Sequence, residues 1–256
     1  DPTAVPVAAG LAQAEVLAGR DAEAEQWCAK VFELAGSPDG HPGPWSMALR
    51  ALGIVRCNQG DPTSGVQLCR ASMASAPTAQ SRSLAGLYLC VALGDAGDFA
   101  AELAVAQDAV AEGHLAGLDR GNGCYFDSLA ADALVRMGRW GEVPALVARH
   151  PLPGTLPVGR LQLARVQAVF AARRGDTQAA LAHLAVAHEL PVNGWHAVLR
   201  DAATADAHLT LGNWGEAVLA AERGWDALPA ASVLWAARFV MYATVAEVEQ
   251  ALDRRG

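Results

Sequence analysis

Five cysteines, seven histidines and scattered carboxylates are the side chains with which this 256-residue chain could do chemistry. Their spacing excludes most of it. Cys28, Cys57, Cys69, Cys90 and Cys124 are odd in number and far apart, with no Cys-x-x-Cys pair, so a structural zinc site is not expected. They read as small buried hydrophobes in a reducing cytosol. His183 and His188 are five residues apart, about 140° around a helix rather than on one face. There is no His-Glu-x-x-His. Gly121-Asn122-Gly123 lacks the preceding strand of a dinucleotide fingerprint. No Gly-x-Ser-x-Gly elbow occurs. A phosphate-binding loop needs Gly-Lys, and the only lysine, Lys30, follows Ala29. Asp201 and Asp206 have no reactive neighbours in sequence. The expectation is a protein that is not an enzyme and uses no metal and no cofactor.

Composition says what must position any remaining binding residues. Hydrophobic residues make up 52% and charged residues 18%, which supplies ample surface for a core. Alanine alone accounts for 56 positions and aromatics for only 6%, a bias toward helix over strand. The net charge of −8 argues against nucleic-acid contact, which needs a basic footprint. No apolar run approaches the ~20 residues needed to span a bilayer; the densest, Phe239 to Ala246, is far shorter. There is no basic-then-apolar leader, so a cytoplasmic location is expected. The first residue is Asp1 rather than Met, and the expectation is a fragment of a longer protein.

A repeat organises the chain. Gly19, Gly60, Gly97, Gly138, Gly175 and Gly212 each precede a polar residue, at intervals of 41, 37, 41, 37 and 37. Seven residues before each glycine stands a small residue: Ala12, Gly53, Cys90, Ala131, Ala168 and Ala205. Five after it stands Ala24, Gly65, Ala180 or Ala217, with Glu102 and Val143 as exceptions. Small residues let two helices approach closely. The glycine ends the first helix in a left-handed conformation. The Asp or Asn after it caps the second. Arg20 and Arg139 break that rule; Asp21 could substitute for the first, and the second has no evident cap. Aromatic residues two past the glycine, Phe99, Trp140 and Trp214, read as packing inside the hairpin. Prolines such as Pro77 and Pro229 stop the second helix.

The string Leu211-Gly212-Asn213-Trp214-Gly215-Glu216-Ala217, with Pro229 twelve residues on, resembles a tetratricopeptide (TPR) repeat. The resemblance implies an all-α, TPR-like superhelix, or solenoid, of about six helical hairpins plus a C-terminal helix. As one domain over 1–256 it divides into units at 5–38, 45–77, 82–112, 123–150, 160–191 and 197–229, with a last helix at 232–254. That last helix either caps the array or begins a seventh unit. Intervals above ~34 residues imply longer joints, at Gly36 to Pro44, Gly113 to Gly123 and His150 to Gly159. Arg136-Met137-Gly138-Arg139-Trp140 and Ala172-Arg173-Arg174-Gly175-Asp176, together with the Leu211 string, also resemble the helical region of large ATP-binding LuxR-type (MalT-like) regulators from actinobacteria. The family's NTPase and helix-turn-helix modules have no counterpart in this sequence.

In a TPR-like superhelix the first helices line the concave groove. Positions ten, six and three before each glycine then face it, and they include Arg50, Ile54 and Cys57; Ser128, Asp132 and Val135; Arg165 and Val169; Ala202, Asp206 and Leu209. Arg50, Asp132, Arg165 and Asp206 are the polar lining candidates. Trp45 and Trp195, each following a joint, are candidates for stacking a ligand at the groove mouth. The expected occupant is a protein or peptide partner or a small effector. The competing reading is a passive scaffold that self-associates, for example as a homodimer, through its end faces or convex side.

Overall fold

All six repeat glycines adopt a positive φ, between 70° and 84°. After each one the chain folds back through the same pair of hydrogen bonds. At Gly60, for example, the glycine N–H donates to the Cys57 carbonyl, and the next N–H, that of Asp61, donates to the Arg56 carbonyl. This pattern satisfies carbonyls that a helix end leaves open. The computed structural model describes residues 3–117, 122–149, 157–191, 195–227 and 235–253; for Trp195 and 235–243 it describes the backbone alone.

Among the described residues there are thirteen α-helices and no strand. They run in sequential pairs: α1 (Ala4–Leu17) with α2 (Asp21–Ala35), α3 (Pro42–Asn58) with α4 (Pro62–Ser75), and α5 (Ala79–Asp95) with α6 (Phe99–Leu115). Then come α7 (Cys124–Arg136) with α8 (Val143–Val147), α9 (Pro157–Arg173) with α10 (Thr177–Glu189), and α11 (Trp195–Thr210) with α12 (Trp214–Ala227). The last helix, α13 (Trp235–Asp253), packs on α11 and α12.

Within a pair the helices cross where the small residues lie. Ala12 and Ala24, Ala168 and Ala180, and Ala205 and Ala217 are all fully buried. In the second pair Gly53 and Gly65 take these places. A Cβ on Gly53 would stand 2.6 Å from the Cys69 sulfur and 3.0 Å from the Gly65 carbonyl oxygen. One on Gly65 would meet the Cys57 sulfur and lie 2.8 Å from the Gly53 carbonyl oxygen. These two backbones touch only because neither residue has a side chain.

The expected caps form at three units. Asp61, Asp98 and Asp176 accept from the backbone N–H three residues on. Arg20 supplies no side-chain cap to α2, whose first turn carries Asp21 and Glu23 beside the open N–H groups. After Arg139 the chain takes a 3-10 turn, Trp140–Glu142, and α8 is five residues long with Pro144 in its first turn. This unit has the shortest second helix of the six. The Arg149 guanidinium ties the end of that unit to the buried Asp127, at 3.5 Å.

The core is divided. Val5, Ala12, Val31 and Ile54 belong to a cluster over α1–α3; Cys57, Cys69 and Leu93 to one over α3–α5. Phe126 and Leu134 centre a cluster over α5–α9, and Val198, Ala217 and Val248 one over α11–α13. Each cluster draws on helices that follow one another in the chain. Odd helices also pack on the next odd helix, α1 on α3 through α11 on α13. One set of contacts breaks this local rule: α13 also touches α3 and α5. No helix is long and apolar enough to cross a membrane among the described residues.

Candidate functional site

Three of the four polar lining candidates, Asp132, Arg165 and Asp206, converge. Asp132 and Arg136 of α7, Arg165, Val169 and Arg173 of α9, and Ala202 and Asp206 of α11 line one cleft of about 140 Å³. Thr244 and Glu247 of α13 complete it. The convergence follows from the register. Asp132, Val169 and Asp206 each lie six residues before a repeat glycine, and the odd helices that carry them pack side by side.

Ion pairs knit the cleft. The Arg136 Nε donates to Asp132 at 3.1 Å, and an Arg165 nitrogen lies 3.9 Å from the same carboxylate. Arg165 Nε donates to Gln162 at 3.0 Å. Arg173 bridges α9 to α11 by donating to Asp206 at 3.2 Å. Burial works to raise the Asp132 carboxyl, but Arg136 and Arg165 overcome it and hold it below the usual range. Asp132 in turn holds the Arg136 guanidinium firmly charged. Glu247 is pushed the other way, up, by burial and by the charge of Asp206. The cleft therefore mixes fixed positive and negative groups, with one carboxyl that is easier to protonate than usual.

Two acidic residues that the sequence reading did not select flank Arg136. Glu102 replaces the small residue at the α5–α6 crossing and is 4% exposed. Burial, reinforced by Asp132, raises its carboxyl well above the normal value. Asp95 ends α5, and its Oδ2 is buried without a hydrogen-bond partner. Burial lifts it to about 7, with Arg136 opposing. The signal for Glu102 was present in the sequence, as a long acid where other units have Ala or Gly.

The remaining candidates lie elsewhere. Arg50 is 3% exposed and sits among α1, α3 and α5. Its Nε donates to Gln13 at 2.9 Å, its guanidinium stands 5.6 Å from the Tyr88 ring centre, and Gln13 donates to the Tyr88 hydroxyl at 2.6 Å. These contacts join three helices, and Arg50 is not among the residues that line the cleft. Ile54 and Cys57, expected to face the groove, are core residues. Trp45 packs edge-on against Phe32 with ring centres 4.7 Å apart. The side chain of Trp195 lies outside the described residues.

All five cysteines are free and buried. Burial pushes the thiols of Cys28, Cys69 and Cys124 up to about 12, and those of Cys57 and Cys90 up as well, which suppresses the reactive thiolate. Among the described residues no group of three or more His, Cys, Asp or Glu is arranged to hold a metal ion. Trp140, expected inside its hairpin, is 38% exposed, and its indole N–H donates to the Val135 carbonyl at 3.1 Å. It closes the end of α7 rather than filling a core. Compared with known proteins, the chain matches no family model, and no curated protein is detectably similar to it.

Proposed function

We propose that the chain is a non-catalytic binding module, a TPR-like superhelix serving as the sensor or scaffold segment of a bacterial signalling or transcriptional regulator. The observation that carries the reading is the convergence of Asp132, Arg165, Arg173 and Asp206, with Glu247, on one cleft shared by four helices. A ligand there touches α7, α9, α11 and α13 at once, so its binding energy depends on how those helices are spaced. That dependence is what a sensor requires, since a ligand shifts an equilibrium only through different affinity for two states. The regulator context rests on the resemblance of the Gly138, Gly175 and Gly212 strings. At this volume a small charged effector, or one side chain of a peptide, suits the cleft better than a whole peptide segment.

Screening charged metabolites and short peptides by thermal shift tests this reading. A true effector at about 100 times its Kd stabilises the fold by about 2.7 kcal/mol, and R173A and D206A abolish the shift. Saturation also changes the small-angle scattering profile. An effector that stabilises both variants as well as the native chain contradicts the assignment of the cleft.

A second reading, a scaffold that assembles through an end face, is favoured by one observation. Trp225 and Leu252, on α12 and α13, are 46% and 43% exposed and lie on a broad groove. A concentration-dependent mass in sedimentation supports it, and a monomer at high concentration opposes it.

A further inference from the structure

The groove between α12 and α13 is built from two strips with one pattern. On α12 they are Val218, Ala221, Glu222 and Trp225; on α13, Val245, Val248, Glu249 and Leu252. Both strips run i, i+3, i+4, i+7, the spacing that keeps side chains on one helix face. Both read apolar, apolar, acidic, apolar in that order. With Ala246 and Asp226 they line a groove of about 810 Å³. The floor is apolar. The described charged residues of the lining are Glu222, Asp226 and Glu249, with no cation among them. Arg223, the only basic residue of α12, stands 3.9 Å from the buried Asp201 of α11.

A groove between two consecutive helices is where this molecule seats a third. α3 packs across both α1 and α2, and α13 across both α11 and α12. We infer that the α12–α13 groove docks an amphipathic helix of a partner protein whose apolar stripe is flanked by Lys or Arg. The apolar floor takes the stripe, and Glu222, Asp226 and Glu249 meet the cations. A second copy of this chain fits poorly. The α1–α2 end carries Glu15, Asp21, Glu23, Glu25 and Glu33 against Arg20 and Lys30. Those two cations already pair with Glu15 and Glu33, and Arg56 of α3 pairs with Glu25, which leaves this end net acidic. A head-to-tail contact would set acid on acid, and a two-fold contact would set this rim against itself.

The test uses the full chain and a synthetic ~14-residue helical peptide, with Leu at i, i+3, i+4 and i+7 and Lys at the flanking positions. A twin carries Glu in place of Lys. Calorimetric titration of the Lys peptide is expected to saturate at one per chain and to weaken with salt. E222K/E249K lowers its affinity at least ~10-fold, as does L252D, a change at an exposed position. E23K/E33K makes the same net charge change on α2 and leaves the affinity within about twofold. The proposal is overturned if the twin binds equally well, or if E23K/E33K weakens binding as much as E222K/E249K. It is also overturned if the chain sediments as a dimer that L252D dissociates.

Discussion

Single glycines carry opposite roles in this chain, and the difference is measurable. Gly53 sits at a backbone contact, so G53A forces Cys69 and the Gly65 carbonyl aside. Overpacking of this kind costs about 1–3 kcal/mol. Gly10 is also in a helix, but a Cβ there meets nothing within 4 Å. G10A is expected to stabilise the fold by about 0.5–1 kcal/mol through helix propensity. Denaturant melts of the two variants check both signs. Asp95 gives a pH prediction. Its carboxyl is raised from 3.8 to about 7 in the fold, so the folded state binds the extra proton. That contribution is full below about pH 4 and is lost as pH rises toward 7. D95N removes the cost of the buried charge and flattens the stability profile over that window, raising stability at pH 8 relative to the native chain. A melt series from pH 5 to 8 reads this directly. The six repeat glycines were legible in the sequence because a positive φ leaves few residue choices. Asp95 was not, because nothing local distinguishes a helix-end Asp that solvates freely from one enclosed by a neighbouring pair.

At the scale of elements, helix starts and stops followed local chemistry closely. Asp98 accepts from the Ala101 N–H at 3.1 Å, and D98A is expected to cost about 1 kcal/mol, with D98N nearly neutral. The same substitution at Arg139, which makes no cap, leaves the α8 start unchanged apart from its surface pair with Glu142, and shifts stability by less than about 1 kcal/mol. Thermal melts of D98A and R139A side by side separate capping from charge. The capping box of Thr78 and Ser81 at the start of α5 escaped the sequence reading because it follows a joint rather than a repeat glycine. Side-chain direction on the odd helices was only half legible. The register that brings Asp132 and Asp206 to the cleft places Ile54 in a core cluster instead, and Cys57, one turn on, in another. Coverage is a property of neighbouring helices, and position counting within one helix cannot supply it.

At the scale of the whole molecule, the repeat intervals anticipated the pairing of helices, and the clustered core matches pairs that lean on their neighbours. The contacts of α13 with α3 and α5 had no signal in the sequence, since nothing in a local pattern encodes a contact between helices so far apart in the chain. Stability is expected to be assembled from local interfaces between successive pairs. Hydrogen exchange measured segment by segment on native protein and on G53A tests it most directly. The account predicts that G53A lowers protection in α3 and α4, less in the adjoining α1, α2 and α5, and hardly at all in α9, α10 and α12. Loss of protection to the same extent in every helix would contradict it.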